Sequence, residues 1–277
     1  MTTITTSRPV MAAYPGGPLS IWHPVHLGTD ETGGHVYVSL TERNMLLGGE
    51  PGSGKSVALQ LIVAHAALSL DCILILIDGK RVELGLWRHA AARFIGPAID
   101  DAIDTLHWLQ SLIDERTEQL LDMGARKVTP DLGWPLYLVA VDEIAYYSAT
   151  VGSKAQQNEF SACNRDVVAR GRAPGIIPVE ATQRPSADIM PTSLRDLFGY
   201  RWAFRCSTDA SSDTILGHGT ANTGYTATDI PDDSPGVGWL RAEGTRLPRR
   251  VKSAYLSTDD IITLAAHAAQ LRQEAAG

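Results

Sequence analysis

Gly49-Glu50-Pro51-Gly52-Ser53-Gly54-Lys55-Ser56 fits the pattern G-x-x-x-x-G-K-[ST], between an apolar run, Met45 to Leu47, and an amphipathic run, Val57 to Leu70. The pattern acquires chemical meaning where a strand turns into a helix. There the glycines let backbone N–H groups close around phosphate oxygens, Lys55 places a cation on the β- and γ-phosphates, and Ser56 offers a hydroxyl to Mg²⁺ at the helix start. The expected nucleotide-binding residues are therefore Gly49, Glu50, Pro51, Gly52, Ser53, Gly54, Lys55, Ser56 and Val57. A plain glycine-rich turn is the competing reading, and the flanking strand and helix argue against it.

Downstream, Cys72-Ile73-Leu74-Ile75-Leu76-Ile77 is a continuous apolar run of the kind found in strands buried on both faces of a parallel sheet, and it ends at Asp78-Gly79-Lys80. A helix is predicted from Asp101 to Met123, with Ile103, Leu106, Leu109, Ile113 and Leu120 on its core stripe. Leu136 to Val141 reads as another buried strand, tipped by Asp142-Glu143. The next helix carries Arg165, Arg170 and Arg172 and breaks at Pro174-Gly175. Ile176 to Thr182 reads as a fourth strand ending at Gln183, and Tyr200 to Cys206 as a fifth. A polar loop (217–236), a late strand (Gly238 to Ala242) and a final helix from Asp259, capped by Thr258, follow. Upstream, residues 27–40 read as a β-hairpin turning at Asp30 to Gly34. This alternation predicts an α/β fold: a mostly parallel sheet with helices on both faces and ligand at the carboxyl ends of the strands. Residues 1–26, rich in Pro and Gly, are expected to form a flexible arm, and 27–277 the catalytic domain.

At those strand ends, Asp142 is expected to hold the Mg²⁺ shell together with Ser56, and Glu143 to polarise an attacking water. Gln183 is placed to contact the γ-phosphate or that water, although a strand-capping turn residue is the competing reading. Arg201 and Arg205 alternate with Trp202 and Phe204; either one, leaving the sheet at a subunit boundary, can serve a neighbouring copy as an arginine finger. Ordinary salt bridges on a solvated strand are the alternative. Residues 160–205 hold seven arginines against four acids, a net of +3 within a chain of −7. This stretch is expected to face phosphate, and Arg126, Lys127 and Lys154, in loops beside Asp142-Glu143, are further candidates for a pore. The overall charge and a pI near 5.6 exclude a globally basic binder but not a local basic surface. Three cysteines without a C-x-x-C pair support neither a disulfide framework nor a zinc site and fit a cytoplasmic setting. The longest nearly apolar run is interrupted by Gln60 and His65 and is too short to span a bilayer, so membrane recruitment falls to partner proteins.

Taken together, GEPGSGKS, LIDGKRVELGLW (Leu76 to Trp87), LVAVDEIAYY and the segment from Ala169 to Arg205 containing ATQRPS resemble the FtsK/SpoIIIE family of hexameric DNA pumps. Within it, the similarity looks closest to short translocases of actinomycete conjugative elements. The resemblance implies a RecA-like, ATP- and Mg²⁺-dependent motor forming a homo-hexamer around double-stranded DNA. Lys55 and Ser56 then serve the nucleotide, Asp142 and Glu143 form the Walker B site, Gln183 is a sensor, and Arg201 or Arg205 is the finger. Where the family usually reads D-S-R-T-I-L-D, this chain has Ser211 to Gly217, Ser-Ser-Asp-Thr-Ile-Leu-Gly. A type VII secretion-like protein translocase and a nucleotide-gated assembly protein are the alternative functions.

Overall fold

The computed structural model describes residues 19–276. The chain opens with a hairpin, β1 (Val25–Asp30) and β2 (His35–Val38), followed by β3 (Met45–Gly48), α1 (Lys55–Leu68), β4 (Cys72–Ile77) and β5 (Arg93–Ile95). Then come α2 (Ile99–Asp122), β6 (Leu136–Val141), α3 (Lys154–Arg170), β7 (Ile176–Thr182), the single turn α4 (Thr192–Arg195) and β8 (Tyr200–Phe204). The last elements are α5 (Asp209–Leu216), β9 (Val237–Ala242), β10 (Arg249–Ser253) and α6 (Thr258–Ala276).

All strands join one ten-stranded sheet ordered β2-β1-β10-β9-β8-β3-β7-β6-β4-β5. From β8 to β5 every neighbouring pair is parallel; from β8 to β2 every pair is antiparallel. The parallel half behaves as its apolar runs predict, because helices cover both of its faces. One layer packs α1 with Leu47, Leu74, Leu138 and Val179 and closes over it with Ile261, Leu264 and Ala268 of α6. The other packs Ile103, Leu106 and Leu109 of α2 and Phe160 and Val167 of α3 against Ile75, Val139 and Val141.

Several expectations change. α1 is not amphipathic: all its residues except Ser56 and Val57 are buried, since the sheet lies on one side and α6 on the other. The final helix is capped by Ser257, whose Oγ accepts the Asp260 N–H while the Asp260 carboxylate accepts the Ser257 N–H. Of the expected arm, residues 1–18 lie outside the described residues. Residues 19–26 are packed: Ile21 is fully buried, Asp71 accepts from Ser20 and from the Ile21 N–H, and β1 begins at Val25.

Candidate functional site

β3 delivers the phosphate loop and α1 leaves it. Gly49 has φ 158° and Gly54 φ 93°, and their missing side chains matter sterically. A Cβ on Gly49 would lie 2.7 Å from Phe204 Cβ, and one on Gly54 would lie 2.2 Å from the Gly236 nitrogen. The loop is pinned from three directions: Gly49 N–H donates to Thr182 O, Glu50 N–H to Arg205 O, and Gly236 N–H to Ser53 O at 2.7 Å. Thus β7, β8 and the turn before β9 together set its shape. The helix start beyond it leaves first-turn N–H groups without intrahelical partners, a ready site for anionic oxygens. A pocket of about 470 Å³ opens there, lined by Glu50, Pro51, Gly52, Gly54, Lys55, Ser56, Val57, Glu83, Gln183 and Pro235. Gly49 and Ser53 do not line it; Ser53 is 2% exposed and its hydroxyl has no hydrogen-bond partner among the described residues.

β6 ends beside β4 and β7, so Asp142 and Glu143 emerge behind Lys55. Lys55 Nζ lies 3.8 Å from Asp142 Oδ1 and 3.5 Å from the Asp142 carbonyl. Both Asp142 carboxylate oxygens are buried without a hydrogen-bond partner among the described residues, and burial outweighs Lys55 in pushing the group's pKa up to about 6. An orphaned carboxylate beside the first residue of α1 is a good place for a hard cation. Among the described residues no group of three His, Cys, Asp or Glu could hold a metal. A single unpaired carboxylate such as Asp142 fits Mg²⁺, which binds through one or two protein oxygens, water and substrate phosphates.

Glu143 is oriented differently. Its Oε1 accepts the Thr182 hydroxyl at 2.9 Å and its Oε2 the Gln183 N–H at 2.8 Å. The tip of β7 thus fixes the carboxylate while the Gln183 side chain lines the pocket. After Glu143 the chain makes a π-helical turn (Tyr146–Thr150), and Tyr147 Oη donates to Gly96 O at 2.7 Å.

The two candidate finger arginines part company. Arg205 reaches over its own phosphate loop, with Nη1 2.6 Å from Asp232 Oδ1 and 3.7 Å from Glu50 Oε2. Arg201 lies toward the other end of β8 and bonds Asp196 at 3.1 Å; burial and the nearby Arg241 and Arg195 lower its pKa to about 10. The basic stretch is largely neutralised internally: Arg170 pairs with Asp166 and Asp114, Arg172 with Glu243, and Arg195 with Asp196. Only Arg165 and Arg184 of that stretch are exposed without an ion pair among the described residues. Arg126 and Lys127 precede β6 and so lie at its amino end, away from Asp142; Lys127 pairs with Glu42. Within the family-like segment, the Asp213 carboxylate accepts the N–H groups of Gly219 and Ala221, holding its own loop. Sequence reasoning assigned no site role to Glu83; the only signal was an acid a few residues beyond Asp78-Gly79.

A pinned glycine-rich loop with the buried Asp142 carboxylate and the oriented Glu143 behind it, at the carboxyl ends of a parallel sheet, defines a P-loop NTPase domain. Residues 22–134 match the model of the FtsK/SpoIIIE family. It is 31% identical to Protein Tra of Streptomyces lividans over 95% of this chain and 44% of that protein. It is 29% identical to the DNA translocase FtsK of Streptomyces coelicolor over 88% of this chain and 28% of that protein. The chain therefore spans less than half the length of these relatives. In fold it is similar to the pCW3 conjugation coupling protein TcpA, a monomer form with ATPγS, at TM-score 0.77, 21% identity, and coverage of 91% of this chain and 71% of that one. The cytoplasmic domain of the Thermomonospora curvata type VII secretion ATPase EccC matches at TM-score 0.70, 20% identity, 95% of this chain and 33% of that one. Among the described residues no helix is long and apolar enough to cross a membrane.

Proposed function

We propose that this chain is a motor that hydrolyses ATP to move double-stranded DNA during conjugative transfer, working as a homo-hexamer in the cytoplasm with partner proteins for loading or membrane recruitment. The observation that carries the reading is Glu143, held by Thr182 and the Gln183 N–H directly behind the Lys55 cradle. Such a carboxylate is aligned to take a proton from an attacking water. Lys55 and the first-turn amides of α1 bind the β- and γ-phosphates, and Gln183, whose backbone grips Glu143, orients the water or senses the γ-phosphate. Ser56 and Asp142 would hold Mg²⁺, which would supply charge neutralisation on the phosphate oxygens.

Because Arg205 is already tied to Glu50 of its own loop, Arg201 is the better candidate to serve a neighbouring copy. Residues 27–277 act as one motor unit, since the sheet runs unbroken from the first hairpin to β5. The family domain, together with relatives named as a DNA translocase and Protein Tra, supports DNA as the cargo. The test is steady-state ATPase with and without long duplex DNA. Turnover is expected to rise severalfold with duplex and to vanish in Lys55→Ala. Stimulation by a helical secretion peptide and not by duplex would overturn the DNA reading in favour of a protein translocase.

A further inference from the structure

The loop after β4 is built with more care than a strand connection needs. Asp78, 1% exposed, accepts the N–H groups of Lys80, Arg81 and Leu84 at 3.0, 2.8 and 2.9 Å, winding residues 78–84 into a tight turn. Arg81 adopts a left-handed φ of 57°, strain that persists only where surrounding contacts dictate it. From α1, the buried Gln60 side chain donates to the Glu83 carbonyl and accepts the Trp87 indole N–H at 2.5 Å. Gly79 lies against Tyr146, where a Cβ would come 2.3 Å from the ring. The loop is thereby clamped to α1 on one side and to the turn after Glu143 on the other.

What this clamp presents to the pocket is Glu83, alongside Lys55, Ser56 and Gln183. Its carboxylate has no ion pair or hydrogen bond among the described residues, and it acts electrostatically on Asp142, raising that group's proton affinity. A bare carboxylate in a pocket shaped for a polyanion opposes the ligand unless a cation arrives with it.

We propose that Glu83 is a positioning residue for the divalent cation: its carboxylate orients water around an ion held by Ser56 and Asp142, and makes triphosphate binding conditional on that ion. The inference rests on the triphosphate reading above. Calorimetric titration of the full chain with a non-hydrolysable ATP analogue, in Mg²⁺ and in EDTA, tests it. In Glu83→Gln the ratio of the two affinities is expected to shrink about tenfold, with weaker binding in Mg²⁺ and equal or tighter binding in EDTA. Glu83→Asp, which keeps the charge, is expected to retain most of the wild-type ratio. A wild-type ratio in Glu83→Gln, or loss of the ratio in both variants alike, overturns the proposal while leaving the triphosphate reading intact. A wild-type chain that binds the analogue in neither buffer overturns both.

Discussion

The two ends of β8 carry arginines in opposite settings. At its carboxyl end Arg205 neutralises Glu50 and Asp232 beside a pocket lined also by Glu83 and Lys55, with the Asp142 carboxylate 3.8 Å behind Lys55. Toward its amino end Arg201, Arg195 and Arg241 gather around Asp196, in a cavity that Glu243 also lines. Gly217 sits there too; a Cβ on it would lie 3.1 Å from Arg241 Nη1 and 3.6 Å from Arg201 Nη1, so where the resembled pattern carries an aspartate this chain adds no carboxylate. Four residue steps of extended strand put Arg201 and Arg205 about 13 Å apart, so one copy does not bring both ends to the same phosphate. One end of the domain needs positive charge from outside and the other has it to spare. A ring in which each copy's amino-end cluster meets the next copy's pocket satisfies both.

Chemistry and assembly respond to different substitutions. Glu143→Gln is expected to lower turnover about 10²- to 10⁴-fold while nucleotide affinity persists, checked by single-turnover hydrolysis beside equilibrium binding. Unimpaired turnover would remove Glu143 from the mechanism. Arg201→Ala should lower turnover by about 10²-fold or more without weakening nucleotide binding to an isolated chain. Mixing it with inactive Lys55→Ala copies should restore part of the activity, because some junctions then pair an intact Lys55 with an intact Arg201. Arg205→Ala should instead weaken nucleotide binding within the same copy. If only Arg205→Ala is rescued by mixing, the roles of the two ends are exchanged.

The carboxyl-end pocket was largely legible in the sequence; the amino-end cluster was not. Strands buried on both faces read as apolar runs, so β4, β6 and β7 announced themselves, and Asp142, Glu143 and Gln183 followed as the residues at their tips. β5 has only Arg93, Phe94 and Ile95, too short a run to give a period. β10 reads Arg-Arg-Val-Lys-Ser, and only its pairing to β1 and β9 makes it a strand. α5 is rich in Ser, Asp and Thr, weak helix formers, and depends on Thr208 accepting the Ser211 N–H and on Ile215 and Leu216 entering the core. Glu50, Arg205 and Asp232 are spread along the chain, so no spacing could have disclosed that Arg205 serves its own loop. The same holds for Arg201, Arg241 and Gly217.

Between the two ends lies a group that belongs to neither. Glu180 on β7 is fully buried with the Asn164 side chain facing it, and burial, outweighing Asn164, pushes its pKa up to about 8. Its ordinary value applies in the unfolded chain, so the folded state holds the proton over a range where the unfolded state has lost it. Stability is then highest below the unfolded value, falls as pH rises from about 4.5 toward 8, and levels off above. Glu180→Gln should be nearly neutral at low pH and stabilising by on the order of 2–4 kcal/mol at pH 9. Denaturant unfolding across that range checks it. If wild type and variant keep a constant difference, Glu180 is not protonated in the fold, and the sheet between the two ends carries a buried charge.

The smallest expected effect concerns the cargo. Most arginines of the basic stretch are committed to carboxylates, whereas Arg184 is exposed directly after Gln183, at the carboxyl end, with no ion pair among the described residues. A cation free of partners releases a counterion from duplex when it binds; one already paired must first give up its carboxylate. Arg184→Ala should therefore weaken duplex binding about two- to fivefold and flatten the slope of log affinity against log salt by roughly one unit, uniformly across sequences. Arg172→Ala, which removes a cation held by Glu243, should leave that slope nearly unchanged. If the two substitutions flatten the slope equally, DNA contacts both ends of the domain, and the division of labour along β8 does not extend to the polymer.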